Sequence, residues 1–309
     1  MTRLAEIEGH IASMGELLNI VGAMRPLAGM RVQESQHALP GIRQYAQSMA
    51  GAISSTLLLL PQPSPESEFD GDRRALILCT AEHGFVGGFN ERMIEAVEAV
   101  LRASDALFVL GSRGAALALE RGRSVAWSCP MATRVLGAPE TINRLTGELY
   151  ARILRGNVSR IEVMFGRYRQ GSPSTIERRV LLPLDTGSLA PTEPRQTPLH
   201  NLAPRSLLEK LLAEYVFALL TEAAVESIAS ENAARFAAME SAHDSVSKKL
   251  EQLRQSARQA RQTEITEELV DLITGSESIS DDDPRTRQTT KRGDLIAPRT
   301  PAGAGNSFA

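Results

Sequence analysis

The sequence predicts an α/β protein in which long N- and C-terminal helices form an antiparallel coiled coil and an α/β domain lies between them. Three observations support this prediction. Apolar residues repeat with heptad spacing near both ends, short apolar runs alternate with helical segments in the middle, and only 4% of the residues are aromatic. Few aromatic residues together with many Ala, Leu, Arg and Glu residues favour helix over an all-β fold.

The first heptad repeat lies within residues 1–60, the predicted N-terminal coiled-coil helix. Steps of three and four residues starting from Leu4 pass through positions that are almost all apolar, and Arg25 is the charged exception. A 3.5-residue period held over about fifty residues is typical of a coiled coil rather than of a lone surface helix. Pro26 and Pro40 each remove a backbone donor, so we expect a kink or a local break at one or both.

The middle of the chain has a different pattern. A linker rich in proline and serine at residues 61–72 leads to an α/β domain with a trailing loop, residues 73–204. Short apolar runs alternate with helices, which predicts a Rossmann-like layer with a mostly parallel sheet. The last run follows its predecessor without a helix, so we expect an antiparallel edge strand. Strands are predicted at residues 75–80, 106–110, 125–129, 161–168 and 175–184, and helices at residues 91–104, 115–121 and 140–155.

The second long helix is predicted over residues 205–275, which contain no proline and have a glycine only at the end. We expect Gly275 to cap this helix and the polar residues 276–309 to form a disordered tail. Each long helix has one apolar seam that it must bury. Antiparallel pairing of the two ends of the chain is the economical solution.

Composition excludes several classes of function. The 34 basic and 37 acidic side chains give a net charge of −3, which argues against nucleic acid as the main partner. Two cysteines, Cys79 and Cys129, exclude a disulfide framework and a multi-thiolate zinc site, and we expect both to be buried free thiols. The sequence contains neither a signal peptide nor an apolar stretch of the roughly 20 residues that span a bilayer. We therefore expect a cytoplasmic chain, or one attached to a membrane only through a partner.

One glycine-rich turn, residues 84–90, lies between a predicted strand and a helix, where a phosphate-binding loop would lie. It matches neither the Walker pattern nor the dinucleotide pattern. A tight structural turn is therefore favoured, in which Gly87 and Gly88 allow close packing and Asn90 caps the helix.

The five histidines lack the spacing of a helical metal site, and no catalytic constellation is evident. We expect no catalytic residue, cofactor or metal. A coiled-coil scaffold and a small nucleotide-binding protein remain as rival hypotheses.

Three blocks of sequence resemble a known family. They are Gly22-Ala23-Met24, the turn Gly87-Gly88-Phe89-Asn90, and a C-terminal block that comprises residues 229–239, 260–262 and 265–269. Over about residues 2–274 the chain resembles the γ subunit, the central rotary shaft of F-type ATP synthases. The resemblance implies that the coiled coil turns inside a ring of α and β subunits, with the α/β domain beside the c ring and the ε subunit. Nucleotide chemistry would then belong to β.

The resemblance also implies contacts at particular residues. Some polar positions coincide with a slip of the heptad register near residues 261–262, where side chains can point outward at a partner. Arg25 would supply the positive charge that the family often places before Ala-Met, where this chain has Gly22. The implied contacts with the α/β head are Met24, Arg25, Arg261, Gln262 and Thr266.

Other positions depart from the family pattern. His200 and Asn201 stand where the family tends to have an aromatic–acidic pair near the c ring, so we expect them on the c-ring side. The tail after Gly275 is longer than expected. These departures suggest a divergent branch, such as the alternative F-ATPase that some bacteria carry. Its γ subunit would lie at the cytoplasmic face of the inner membrane as a peripheral part of the complex.

Overall fold

A computed structural model describes residues 3–60, 73–156, 158–184 and 200–281 of the chain. These residues divide into two compact units: residues 13–250, and a smaller unit in which the first helix up to Ala12 accompanies the last helix from Glu251 onward. The elements are α1 Arg3–Leu57, β1 Arg74–Cys79, α2 Phe89–Glu98, β2 Ala106–Leu110, α3 Ser112–Glu120, β3 Trp127–Cys129, a 3-10 turn Val135–Gly137, α4 Ala138–Leu154, β4 Arg160–Arg169, β5 Ser172–Leu182 and α5 Pro204–Asp281.

The five strands form one sheet in the order β3-β2-β1-β4-β5. Four strands run parallel, and β5 pairs antiparallel with β4 at the edge. The connection from β4 to β5 has no helix, so β5 can only return antiparallel. The prediction of a mostly parallel sheet with an antiparallel edge strand is confirmed.

The two faces of the sheet have different cores. Strand β1 alternates: Ala75, Ile77 and Cys79 face one core, and Leu76 and Leu78 face the other. Helices α2 and α3 cover the second face. The first face is covered by α4 together with the long helices, which contribute these buried residues: Leu39 of α1, and Val216, Leu220, Ala223, Ala224, Val225 and Ile228 of α5. The long helices are therefore part of the core of the domain.

Helices α1 and α5 run antiparallel, as predicted. In the larger unit, Arg25 pairs with Glu240 and Arg43 pairs with Glu222, so rising numbers on α1 meet falling numbers on α5. In the smaller unit, Glu8 of α1 pairs with Arg261 of α5 at 2.8 Å. The predicted fold class, long antiparallel helices joined to an α/β domain, is confirmed.

A local break of α1 at Pro26 or Pro40 is contradicted, because the helix continues through both residues and its buried seam outweighs the roughly 3 kcal/mol that each proline costs. A kink at these prolines stays a prediction. The predicted end of the second long helix was wrong. Helix α5 passes Gly275 and continues to Asp281, so residues 276–281 are helical rather than part of a disordered tail. A glycine inside a helix costs only about 1 kcal/mol, so it does not by itself end one. The predicted linker, most of the trailing loop and the rest of the tail lie outside the described residues.

Candidate functional site

Of the predicted contact residues on α1, Met24 is half-buried and Arg25 is held by α5. The Nη2 atom of Arg25 donates to Glu240 Oε1 at 2.8 Å, and its guanidinium lies 5.1 Å from the centre of the Phe236 ring. A partly exposed ion pair combined with a cation–π contact holds the side chain against the partner helix. The charge of Arg25 thus already has partners within the chain.

Helix α1 has apolar side chains that the described residues leave exposed. The heptad spacing predicts one buried apolar seam on α1, but the helix has more apolar residues than this seam contains. Val21, Ala28 and Val32 are buried, whereas the exposed set consists of Leu17, Ile20, Leu27 and Met30. The signal in the sequence was apolar residues beside the heptad positions.

The predicted contacts on α5 lie in the smaller unit. Arg261 donates to Glu8 Oε1 at 2.8 Å, although both side chains remain at least half exposed. The Thr266 hydroxyl donates to the backbone carbonyl of Gln262 at 2.8 Å, and both residues are exposed. The structure therefore places Gln262 and Thr266 on one surface of the helix, one turn apart.

Beyond Gln262, α5 carries a wide apolar surface that we call the apolar tip: Ile265, Leu269, Val270 and Leu272, which are 52–70% exposed. The start of α1 lies beside α5 at a groove that includes Arg3, Ile7, Ala260 and Glu267. Ile265, Leu269 and Leu272 share one face of the helix and Val270 lies on another, and large exposed apolar side chains this close together are typical of an interaction site. The resumed apolar spacing after the register slip was the sequence signal for this surface.

The glycine turn after β1 is a structural turn, but not of the predicted kind. Gly87 adopts a φ of 54°, which glycine tolerates best, and Gly88 immediately precedes α2. Asn90 does not cap the helix; it is buried within the first turn of α2, and its Oδ1 accepts the Ala81 N–H at 3.0 Å. The Asn90 side chain therefore anchors α2 to the end of β1.

A carboxylate from the chain itself occupies the place where a parallel sheet would bind a phosphate. At the N-terminus of α3, Glu82 accepts from the backbone N–H and hydroxyl of Ser112, and also from the N–H of Met131. Burial raises the pKa of Glu82, but these hydrogen bonds outweigh burial and hold the pKa below its usual value. An ionised Glu82 thus satisfies the donors that an anionic ligand would use.

The residues predicted on the c-ring side lie just before α5. His200 and Asn201 are exposed, and His200 Nδ1 lies 2.9 Å from the Leu202 carbonyl oxygen, so this nitrogen carries the proton. His200 borders a groove of about 540 Å³ between the two long helices, where Ser48, Ser55 and Leu211 also lie. The groove is open and polar on the α1 side.

Within the described residues, no group of three His, Cys, Asp or Glu side chains is arranged to hold a metal ion. Over the same ranges, none of the helices has both the length and the apolar character required to cross a bilayer.

The family model described as ATP synthase matches residues 3–279. Among similar curated proteins, the ATP synthase gamma chain of Chlorobium luteolum is 25% identical over 291 residues, which cover 90% of this chain and 99% of the relative. The ATP synthase gamma chain of Kineococcus radiotolerans is 28% identical over 288 residues, covering 88% and 95% respectively. The likeness thus extends over nearly the whole length of both relatives.

Solved structures agree at the level of the fold. A chain of the Euglena gracilis mitochondrial ATP synthase, in a structure of its OSCP, F1 and c-ring parts, matches with a TM-score of 0.54 and 12% identity. The match covers 89% of this chain and all of that one. A chain from the central stalk and c-ring of the Tetrahymena thermophila mitochondrial ATP synthase matches with a TM-score of 0.50 and 16% identity, covering 72% and 99%.

Proposed function

Because the chain belongs to the ATP synthase family, as a γ subunit of the central stalk, we propose that its paired helices turn inside a head of α and β subunits. In this proposal the α/β domain joins the c ring and the ε subunit, one copy of the chain serves each complex, and ion-driven rotation of the ring turns the stalk. The chain would lie at the cytoplasmic face of a bacterial inner membrane, held there only through the complex.

The observation that carries this proposal is the apolar tip of α5. Its four apolar side chains, at positions 265, 269, 270 and 272, point to more than one side of the helix and are mostly exposed. Exposed apolar area costs roughly 25 cal/mol per Å², so a surface of this kind is stabilised when a partner covers it. An apolar ring formed by the head would bury the tip from several sides and still let it turn, because apolar contact is non-directional.

The two helices differ in what they present, and this difference supplies the coupling. Leu17, Ile20 and Leu27 of α1 are exposed apolar side chains. The surface that α1 presents to a partner therefore differs from the surface that α5 presents. Three chemically identical β subunits around such a stalk would each meet a different surface. A rotation then changes which β conformation is favoured, since coupling is a difference in contact free energy between states.

We assign the remaining residues by this proposal. Met24, Gln262 and Thr266 would touch the head directly. Arg25 and Arg261 would touch it while keeping their pairs with Glu240 and Glu8. His200 and Asn201 would face the c ring. This chain would contribute no catalytic residue, since the phosphoryl chemistry would take place in the β subunits.

Co-expression of the chain with the α, β, ε and c subunits of its own organism tests the proposal. We expect α, β and ε to co-purify with it at fixed stoichiometry, and a probe attached to the α/β domain to rotate when ATP is added. A coiled-coil scaffold would not bring these subunits down at a fixed ratio. A complex that assembles and hydrolyses ATP with a stationary probe would contradict the rotary role.

The predicted head contacts are tested by Arg261→Ala combined with Gln262→Ala. The matched control is Arg254→Ala with Gln255→Ala, the same two residue types exposed two turns earlier on α5. We expect both complexes to assemble, with ATP-driven ion pumping lowered only in the first. If pumping and ATPase activity are unchanged in the first variant, Arg261 and Gln262 do not contact the head.

A further inference from the structure

A chain of alternating charges joins α1 and α5 to the edge of the sheet. Arg43 of α1 binds Glu222 and Glu226 of α5, and Arg179 of β5 binds Glu222 from the other side. The chain continues along the edge hairpin, where Glu177 pairs with Arg179 at 3.0 Å and with Arg167 of β4. We call these six residues the charged joint: Arg43, Arg167, Glu177, Arg179, Glu222 and Glu226.

Glu222 is the centre of the charged joint. Its Oε1 accepts Arg43 Nε at 2.9 Å and its Oε2 accepts Arg179 Nη1 at 2.8 Å, so one carboxylate touches α1 and β5 from α5. The Glu222 side chain is only 9% exposed. Burial raises the pKa of Glu222, but the hydrogen bonds from Arg179 and Arg43 lower it by more than burial raises it. The pKa is therefore below its usual value, and the carboxylate is ionised at neutral pH.

Arg43 is fixed at this position by a second carboxylate. Glu226 lies one helical turn beyond Glu222 and is 3% exposed, so two buried carboxyl groups meet Arg43 along α5. Burial raises the pKa of Glu226, and the positive charges of Arg43 and Arg167 oppose that rise. Like charges at this spacing repel unless a cation lies between them. Arg43 is that cation, and its removal would leave both carboxylates without their shared partner.

The apolar contacts and the charged joint resist different motions. The long helices pack on the sheet through Leu39, Leu220 and Ile228, and the free energy of apolar burial depends on area rather than on direction. Charged hydrogen bonds have a defined geometry, so a turn of the helix pair on the sheet would break them. The arrangement thus has a component that specifically opposes twisting.

We propose that Glu222 is a positioning residue for rotation: it fixes the angle of the α1–α5 pair on the sheet, so that torque passes from the α/β domain into the helices. This inference rests on the proposed rotary function. Arg43 and Arg179 are the two arms of the joint, one reaching α1 and the other the edge strand.

The test measures torsional stiffness in the assembled complex. The head is immobilised, the β subunits are locked with a non-hydrolysable nucleotide, and the angular fluctuation of a bead on the α/β domain gives the stiffness. In Glu222→Gln we expect stiffness to fall by up to about twofold, because a carboxamide has a single acceptor oxygen and so keeps only one of the two arginine arms. The matched control is Glu98→Gln, where the carboxylate also binds two arginines, Arg121 and Arg123, but within the α/β domain.

Glu98→Gln should leave stiffness unchanged. Equal stiffness in Glu222→Gln and the unaltered complex, or an equal fall in both variants, would overturn the inference. If Glu222→Gln does not assemble, Arg43→Gln replaces it, because the Arg43 side chain is 40% exposed and only the α1 arm of the joint is lost. Unchanged stiffness in Arg43→Gln would also overturn the inference. A bead that turns with ATP while stiffness stays constant leaves the rotary function standing, whereas a bead that never turns contradicts that function itself.

Discussion

The carboxamide oxygen of Asn90 accepts the backbone N–H of Ala81 at 3.0 Å in the interior of the domain. This bond joins the first turn of α2 to the residue that follows β1 by two positions. Ala81 has no exposed surface, so its N–H has no access to bulk water. A buried donor without a partner loses its full hydration, which makes the Asn90 side chain a structural requirement of the turn.

Asn90→Ala is therefore expected to lower the free energy of unfolding by about 1–3 kcal/mol. Urea titration followed by Trp127 fluorescence measures this change in stability. Trp127 is the single tryptophan, and the centre of its ring lies 6.0 Å from that of Phe108. The control is Asn143→Ala on the exposed face of α4, which should be neutral or slightly stabilising. Equal effects at the two positions would show that the Ala81 bond is unimportant.

Two glycines inside helices should respond to alanine with opposite signs. A Cβ on Gly114 of α3 would lie 2.1 Å from Thr80 Oγ1, whereas a Cβ on Gly147 of α4 would meet nothing within 4 Å. We expect Gly114→Ala to destabilise the chain by about 1–3 kcal/mol through overpacking, and Gly147→Ala to stabilise it by up to about 1 kcal/mol. Thermal unfolding of both variants provides the comparison, and a stable Gly114→Ala would mean that Thr80 moves aside easily.

Glu82 should make unfolding depend on pH. Because the folded pKa of Glu82 is below its ordinary value of about 4.3, the stability it adds is present above that value and is lost as pH falls through the folded pKa. Glu82→Gln should cost about 1–2 kcal/mol at pH 7 and much less in more acidic buffer. Urea unfolding midpoints of the unaltered chain and of Glu82→Gln, taken at pH 7 and in the more acidic buffer, measure this difference in stability.

The control for that experiment is Glu140→Gln, because the Glu140 side chain is 72% exposed and pairs with Arg144 one turn along the same helix. It should change stability by less than about 0.5 kcal/mol at every pH. A Glu82→Gln deficit that stays constant between neutral and acidic buffer would show that the charge of the carboxylate contributes nothing.

The two thiols should be unreactive in the folded chain. Burial raises the pKa of Cys79 to about 12, and burial, partly offset by Arg144, raises the pKa of Cys129 to about 11. Since the thiolate is the reactive form, we expect alkylation at pH 8 to be roughly a hundredfold slower than in urea-unfolded chain. Mass spectrometry of iodoacetamide-treated samples measures both rates, and rapid labelling of native Cys79 would contradict its burial.

The sequence predicted the element types well because those elements have strong periodicity. Strand β2 was predicted with its observed bounds, and β5 was placed at the edge because no helix precedes it. The existence of α1 and α5 follows from heptad spacing, although α5 ends at Asp281 rather than at Gly275. Local patterns of this kind extend over a few residues, so one sequence contains enough information to read them.

The details that the sequence did not predict depend on distant residues. Pro26 and Pro40 remain helical because α5 packs against α1, which no local rule represents. Arg43 and Glu222 are 179 positions apart, so nothing in their neighbourhoods marks them as partners rather than as solvated charges. The inward turn of Asn90 likewise depends on where Ala81 lies after folding. The sequence identified the residues of the predicted contact surfaces. It did not show which of their side chains are paired with other residues of the chain.

The contribution of the long helices to the core of the domain affects how the chain folds during synthesis. When Leu182 has left the ribosome all five strands exist, but the sheet face that α5 covers still lacks Val216 to Ile228. An apolar sheet face without its cover is prone to aggregation, so the nascent chain needs shielding at this stage. Completion of the domain therefore waits for translation of the last helix, and a ribosome stalled just before it would hold an aggregation-prone intermediate.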